Sequence, residues 1–155
     1  MDHTRSRRAL IILEGFAGVS ALIGMAMLLT DWPIRFPANW LQRTPFGDYT
    51  VPALILGLVV GGSAFLAMGA TIKRVTIAPV LSLIAGAIMI GWIVGEVLLI
   101  DHFTPSSAYW AQGEYLLVGL AMVVLALRAA PGGWRGMLPR RTARPLEATR
   151  AISHR

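Results

Sequence analysis

The chain contains no cysteine among its 155 residues. Disulfide bonds, thiol redox chemistry and cysteine-ligated metals are therefore excluded, although the absence says nothing about the compartment. Charged residues are also scarce, at 14% of the chain, whereas hydrophobic residues make up 55%. Soluble globular domains carry about 25% charged residues, so this composition is not typical of them.

Four long segments with very few charged residues occupy most of the sequence. Each has close to the ~20 residues that a helix needs to cross a hydrocarbon core of about 30 Å. Backbone polar groups must be paired inside lipid, and no segment alternates as barrel strands do. The sequence therefore predicts an all-α polytopic membrane protein, a compact four-helix bundle over residues 9–128. The predicted helices are about 9–30, 50–72, 77–100 and 108–128, with a connecting loop at 31–49.

Most basic residues fall into three segments, which precede the first helix, separate the second from the third and follow the fourth. The loop at 31–49 carries only Arg35 and Arg43, accompanied by Asp31 and Asp48. With four spans these segments share one side of the bilayer. Basic loops stay in the cytoplasm, so we expect both termini to be cytoplasmic and the protein to lie in the cell membrane. We also expect these side chains to contact anionic lipid head groups. They include Arg5, Arg7, Arg8, Lys73, Arg74, Arg140 and Arg141.

The two ends of the chain differ in composition from the predicted bundle. Residues 1–8 form a short basic N-terminus, and residues 129–155 are rich in arginine, proline and glycine. A segment of that composition cannot bury a core, so we expect the tail to be disordered or to lie on the membrane surface. Its charge does not indicate nucleic-acid binding, because no folded nucleic-acid module accompanies it.

The loop at residues 31–49 is rich in aromatic residues and proline. Aromatic rings favour the head-group layer, which predicts a short interfacial helix around Ala38–Arg43, with Trp40 and Leu41 dipping into lipid. A lid over a ligand is the alternative. At the end of the loop, Thr50 is the expected N-cap of the second helix and Asp48 lies just outside it, where a carboxylate stabilises a helix start.

Small residues recur at helical spacing in the first three helices. In lipid, such residues let helices approach closely, so they predict tight packing within the bundle. The same residues would also serve contact with a second copy or with a larger membrane complex. The predicted packing positions are Gly18, Gly57, Gly61, Gly91 and Gly95.

Glu14 lies inside the first predicted helix. Ionisable groups within a membrane are costly and usually face the bundle interior. Its neighbours at helical spacing are small, so we expect the side chain to point at another helix. Two interpretations follow from this placement. One is an ion pair with Lys73 or Arg74, and the other is a carboxylate that binds a proton.

Glu96 and Glu114 are equally spaced around Pro105, between the third and fourth helices. A hairpin turning there would place them at similar depth, and two facing carboxylates would share a proton. Trp92 and Trp110 lie four residues from the two acids, so each acid would have an indole beside it. In the alternative interpretation, Glu96 hydrogen-bonds a neighbouring helix and Glu114 lies near the aqueous interface.

Asp101 and His102 follow the third helix and share their side of the membrane with Asp48 and Glu96. These four residues are candidates for a cation site. Their spacing matches no metal-ligand motif, so no metal is predicted, and nothing in the sequence indicates a cofactor.

Three stretches, EGFAGVSALIGMAMLL, TPFGDYTVPALILGLVVGGSA and GWIVGEVLLI, resemble a widespread bacterial family of small four-helix membrane proteins of uncharacterised function. The resemblance covers about residues 10–127 and excludes the basic tail. It implies the four-helix fold but no activity, and it implies that the acids are family features. The matching positions are Glu14, Gly15, Pro45, Phe46, Asp48, Pro52, Gly61, Gly62, Trp92 and Glu96.

Three classes of function fit these observations. The first is a non-enzymatic accessory or scaffold subunit, which binds membrane partners through its glycine and alanine faces. The second is a small oligomeric proton-coupled transporter or channel that uses the intramembrane carboxylates. The third is a membrane enzyme acting on lipid or quinone, which lacks support because the sequence has no nucleophile grouping, phosphate loop or metal motif.

Overall fold

The computed structural model of the protein describes residues 3–33, 35–42, 44–100 and 108–130. Throughout these ranges the regular secondary structure is helical. Asp101 and His102, Arg140 and Arg141, and the tail from residue 131 onwards lie outside the described residues.

Within the described ranges, four helices are long and apolar enough to cross a membrane. The prediction of an all-helical chain with four such segments is confirmed. The sequence predicts a start of the first helix near residue 9. The helix begins earlier, at His3, because the basic residues extend it by more than one turn at its N-terminus. The helices are α1 (His3–Thr30), α2 (Thr50–Lys73), α3 (Ala78–Ile100) and α4 (Ala108–Ala129).

Consecutive helices run antiparallel, and α1 also packs against α4, so the four helices close into a bundle. The turn between α2 and α3 is tight, and Arg74 adopts a left-handed conformation with φ of 56°. The Val75 amide donates to the Ala70 carbonyl at 3.2 Å, and the Arg74 amide donates to the Thr71 carbonyl at 3.4 Å. These two bonds form a Schellman motif, which ends α2 and directs the chain into α3.

Alanine is the commonest residue in the interior of the bundle, and many of the large aliphatic side chains point outwards. Leu66 and Leu98, for example, are 70% and 77% exposed. Small interior side chains let helices approach closely, and apolar side chains on the outside suit a lipid solvent. The buried alanines include Ala17, Ala21, Ala53, Ala64, Ala67, Ala85 and Ala126.

Glycine sets the contact between α1 and α2. A Cβ atom added at Gly61 would lie 3.2 Å from the Ala21 Cβ and 3.4 Å from the Gly18 carbonyl oxygen. Gly57 lies against Met25 in the same interface. Gly18, Gly57 and Gly61 therefore stand where the helices approach most closely, as packing glycines must.

The contact between α3 and α4 uses different glycines from those predicted. A Cβ at Gly86 would lie 2.9 Å from the Gly119 carbonyl oxygen, whereas one at Gly91 or Gly95 would meet nothing within 4 Å. The prediction that Gly91 and Gly95 pack within the bundle is wrong. They lie on a different face of α3 from Gly86, because Gly91 and Gly95 follow it by five and nine residues, which turn them about 140° and about 180° away from it.

Residues Ile55–Gly61 of α2 are π-helical, between α-helical segments Thr50–Leu54 and Gly62–Lys73. In a π-helix each amide bonds to the carbonyl five residues back, which makes the turn wider than in an α-helix. The π-helical stretch packs against α1. The widened part of α2 therefore lies in the interface with its neighbour.

The loop before α2 folds over a small aromatic cluster. Phe36 contacts the rings of Trp40 and Tyr49 at centroid distances of 6.1 and 5.8 Å. The predicted interfacial helix is a 3₁₀ turn over Ala38–Leu41. Leu41 is buried in the protein, not extended into lipid as predicted.

The start of α2 differs from the prediction in one detail. Tyr49 takes the N-cap position, and the helix itself begins at Thr50. The side chain of Asp48 accepts a hydrogen bond from the Thr50 amide at 2.8 Å. Asp48 therefore satisfies one of the amides that a helix start leaves without an intrahelical partner.

Candidate functional site

A cluster of polar side chains is buried where α1, α2 and α3 meet. Glu14 of α1 has 0% of its surface exposed, Thr71 of α2 has 4% and Ser82 of α3 has 0%. Each residue lies in one of the helices that are long and apolar enough to cross a membrane. A carboxyl group and two hydroxyls thus share a site that is closed to the exterior.

The hydrogen bonds of the cluster converge on one carboxylate oxygen. Ser82 Oγ donates to Glu14 Oε1 at 2.5 Å, and Thr71 Oγ1 lies 3.5 Å from the same oxygen. The two hydroxyl oxygens are 3.4 Å apart, and Ser82 Oγ also lies 3.1 Å from the Ala78 carbonyl oxygen. Three helices are therefore joined through Oε1 of Glu14.

The second carboxylate oxygen is unpaired. Glu14 Oε2 is buried and has no hydrogen-bond partner within the described part of the chain. A carboxylate removed from water is costly unless its charge is compensated and its oxygens are hydrogen-bonded. A proton or a small cation bound at Oε2 of Glu14 would therefore compensate the charge and give this oxygen a partner.

The predicted ion pair between Glu14 and the basic residues at the end of α2 is not formed. Lys73 and Arg74 are both exposed, whereas Glu14 bonds to the hydroxyls of Thr71 and Ser82. Of the two interpretations, the ion pair is therefore wrong.

Helical spacing explains how the cluster is assembled. The buried face of α1 recurs every three or four residues, which brings Glu14 onto the same face as the core alanines. Thr71 lies in the last turn of α2, and Ser82 lies one turn into α3. The tight turn between these two helices brings the hydroxyls together. The buried face of α1 comprises Ser6, Leu10, Glu14, Ala17 and Ala21.

A second polar group lies between α3 and α4. The side chains of Gln112 and Trp92 are within hydrogen-bonding reach of the Glu96 carboxylate. Gln112 is 7% exposed, and its Oε1 has no hydrogen-bond partner among the described residues. The predicted indole beside Glu96 is therefore present.

The predicted pairing of Glu96 with Glu114 is wrong. The residue of α4 that reaches Glu96 is Gln112, and Glu114 is exposed. Two residues along a helix turn through about 200°, so Gln112 and Glu114 point in nearly opposite directions. The two carboxyl groups do not share a proton in this arrangement.

The remaining candidate residues are not gathered around one centre. Asp48 is exposed in the loop before α2, whereas Glu96 lies within α3. Ser82, which bonds Glu14, precedes Glu96 by 14 residues in α3. At 1.5 Å per residue, Glu14 and Glu96 are therefore about 21 Å apart along the bundle. Within the described residues, no group of three or more histidine, aspartate and glutamate side chains is placed to hold a metal ion.

The loop before α2 has a shallow cavity of about 480 Å³, which Asp31, Asp48 and Tyr49 help to line. Arg35 Nε lies 3.6 Å from Asp31 Oδ2, in an exposed ion pair. The Tyr49 hydroxyl donates to the Pro37 carbonyl at 2.7 Å. Burial raises the pKa of Tyr49 above its ordinary value, and the negative charge of Asp31 raises that pKa further.

Thr71, Ser82 and Gln112 are site residues that the sequence pattern does not single out. Each is a polar side chain in an apolar helix, and that signal alone does not separate a site from a local backbone hydrogen bond. Ser63 shows the difficulty, since it lies in α2 and bonds the Val60 carbonyl of its own helix at 2.9 Å. Only the three-dimensional arrangement distinguishes the two hydroxyls that reach Glu14.

Comparison with known proteins adds no family or activity to this geometry. No family model, no curated protein and no solved structure matches the chain. The resemblance to small four-helix bacterial membrane proteins therefore stays a prediction. What the described residues establish is an architecture of four apolar helices around a buried carboxyl group.

Proposed function

We propose that this protein is a non-enzymatic multi-pass membrane protein that binds and releases a proton, or a small cation, at Glu14. One observation carries the proposal: a fully buried carboxyl group whose Oε2 has no partner in the described part of the chain, held by hydroxyls from two other helices. Intramembrane acids of this kind mark ion and proton sites in transporters. The function that follows is transport coupled to protons or cations, or a response of the protein to the concentration of protons or cations.

The position of the cluster along the bundle supports exchange with one side of the membrane. Thr71 lies two residues before the end of α2, and Ser82 lies four residues after the start of α3. At 1.5 Å per residue, the site is only about 6 Å from that end of the bundle along α3. In α1, Leu10 lies one turn nearer to the same end than Glu14 and is 2% exposed.

Basic residues gather at the same end of the bundle, whereas at the opposite end Arg35 is accompanied by the acids Asp31 and Asp48. This asymmetry supports an orientation with both termini in the cytoplasm of a cell-membrane protein, and contact of the basic end with anionic head groups. Because the chain has no native cysteine, single cysteines provide a direct test. In intact cells, a membrane-impermeant maleimide should label Asn39→Cys and spare Thr76→Cys. The reverse pattern would contradict this orientation.

The proton-binding proposal is tested by infrared difference spectroscopy of the reconstituted protein across about pH 4 to pH 10. We expect a carboxyl band that responds to pH, disappears in Glu14→Gln and persists in Glu114→Gln. Glu114 is an exposed acid of the same chemistry and serves as the matched control. A difference spectrum that Glu14→Gln leaves unchanged overturns the proposal, provided that the variant elutes at the wild-type size.

Transport is tested separately in proteoliposomes containing a pH-sensitive dye. An imposed cation gradient should move protons through the wild-type protein and not through Glu14→Gln. Glu114→Gln should retain the flux. If the infrared band titrates but no flux is seen with sodium, potassium or lithium, proton binding stands and coupled transport of these cations does not.

An accessory or scaffold subunit is a second candidate function, favoured by the outward face of α3. Gly91 is exposed there, and a Cβ at Gly91 or Gly95 would meet nothing within 4 Å. A partner helix could approach closely at this face. Gly91→Leu should then abolish copurification of a membrane partner from native membranes while leaving the Glu14 band intact. Unchanged copurification contradicts this second function.

A further inference from the structure

An apolar groove of about 760 Å³ runs along the surface between α1 and α4. Leu13 lines it from α1, and Gly113, Leu117 and Ala121 are among the residues that line it from α4. Leu117 is 68% exposed, and a Cβ added at Gly113 would meet nothing within 4 Å. The groove is therefore open to the medium around the bundle, which for a helix of this hydropathy is lipid.

The length of the groove corresponds to one leaflet of a bilayer. Its α4 lining extends from Trp110 to Ala121, which at 1.5 Å per residue spans about 16 Å. Half of a hydrocarbon core of about 30 Å is about 15 Å. One extended acyl chain would thus fill the groove from the head-group layer to the middle of the bundle.

The end of the groove near the start of α4 is polar. Trp110 is 81% exposed, as is usual for an indole at the membrane interface. Glu114 lies one turn further into the bilayer and also lines the groove. Its carboxylate has neither a hydrogen bond nor an ion pair with any described residue. A carboxylate facing lipid is costly unless a cationic group meets it.

We propose that this groove binds a phospholipid whose head group carries a primary ammonium, with one acyl chain along Leu117 and the ammonium on Glu114. A primary ammonium has N–H donors that form charge-assisted hydrogen bonds to a carboxylate. A trimethylated ammonium has the same charge and no donor. An anionic head group would be repelled by Glu114. The carboxylate thus selects for the ammonium, and the apolar groove supplies the contact with the chain.

The experiment uses the full-length protein in mild detergent, mixed with phosphatidylethanolamine and phosphatidylcholine of identical acyl chains. Native mass spectrometry then counts the lipids retained. We expect the wild-type protein to retain the ethanolamine lipid roughly three- to five-fold better than the choline lipid, the size of effect that one ion pair gives. Glu114→Gln should bring the ratio to about one.

Two further variants separate the head-group contact from the chain contact. Gly113→Leu fills open space, so it should fold normally and lower retention of both lipids without changing their ratio. Asp48→Asn removes an acid outside the groove and should leave both retention and ratio at wild-type values. Circular dichroism and elution volume establish that each variant is folded.

Three outcomes would overturn the proposal. The first is equal retention of the two lipids by the wild-type protein, and the second is a preference that survives Glu114→Gln. The third is a dimer that Gly113→Leu dissociates, because a second copy would then occupy the groove. None of these results depends on whether Glu14 binds a proton.

Discussion

Ser82 Oγ of α3 lies 2.5 Å from Oε1 of Glu14 in α1, with both side chains completely buried. The bond connects residues 68 positions apart in the sequence. It crosses the bundle from one helix to another, where each partner would otherwise be a polar group in an apolar interior. The pair therefore holds α1 and α3 in a fixed register around the buried carboxyl group.

Replacing Ser82 by alanine should expose the contribution of this bond. Oε1 of Glu14 then keeps only the longer contact with Thr71, and we expect the free energy of unfolding to fall by about 1 kcal/mol. The carboxyl band of Glu14 should move to higher frequency, because one hydrogen bond to the group is lost. Unfolding in mixed micelles measures the first effect, and infrared spectroscopy measures the second.

Ser63→Ala is the matched control for that experiment. The Ser63 hydroxyl bonds the Val60 carbonyl of its own helix. Its removal should lower the free energy of unfolding by at most a few tenths of a kcal/mol, and it should leave the carboxyl band of Glu14 unchanged. If Ser63→Ala and Ser82→Ala behave alike, the bond between Ser82 and Glu14 has no special role.

The contact between α3 and α4 predicts a sharp difference between two glycines of one helix. Gly86→Val should destabilise the bundle by about 1–3 kcal/mol, because its Cβ would meet the Gly119 carbonyl oxygen at 2.9 Å. Gly91→Val should have little effect on the isolated protein, since that position has no neighbour within 4 Å. Thermal unfolding in detergent compares the two variants, and equal losses of stability would contradict the assigned contact.

The raised pKa of Tyr49 predicts a pH dependence of the loop before α2. The phenol should ionise above the ordinary value of 10.0, as measured by ultraviolet absorbance with Tyr49→Phe as the blank. Asp31→Asn should bring the midpoint part of the way back, because the larger cause, burial, remains. A midpoint that Asp31→Asn does not move would show that the charge of Asp31 does not reach the phenol.

The sign of the accompanying stability change follows from the same shift. The folded loop holds the Tyr49 proton more tightly than the unfolded chain does. This contribution to stability is fully present below about pH 10 and is lost as the pH rises through the folded-state pKa. Tyr49→Phe removes that dependence, together with the hydrogen bond to the Pro37 carbonyl.

The helical architecture was predictable because its signal is local. Length and lack of charge identify a membrane-spanning helix without knowledge of its neighbours, and Glu14 could be assigned to the interior from its small neighbours at helical spacing. The partners of Glu14 could not be predicted. Whether Thr71 or Lys73 turns towards it depends on the rotation of α2, and two residues of difference reverse the direction of a side chain.

The same limit explains the errors in α3 and α4. A glycine stripe is visible in the sequence, but the rest of the helix decides which face of the helix packs inwards. The sequence therefore predicts Gly91 in the contact with α4, whereas Gly86 lies there. Equal spacing around the turn predicts that Glu114 and Glu96 lie at the same depth along the bundle. It does not determine how each helix is rotated about its own axis. Gln112 has the correct rotation and so reaches Glu96.

The π-helical stretch Ile55–Gly61 acts as a phase adjustment for everything that follows it in α2. If the same seven residues were wound as an α-helix, the remainder of α2 would rotate by about 100° relative to the residues before it, because the wider π turn holds one more residue in the same rotation. Thr71 would then turn away from Glu14 although no side chain of the cluster had been altered. The orientation of a hydroxyl near one end of the bundle is thus determined some ten residues, or about 15 Å, away from it.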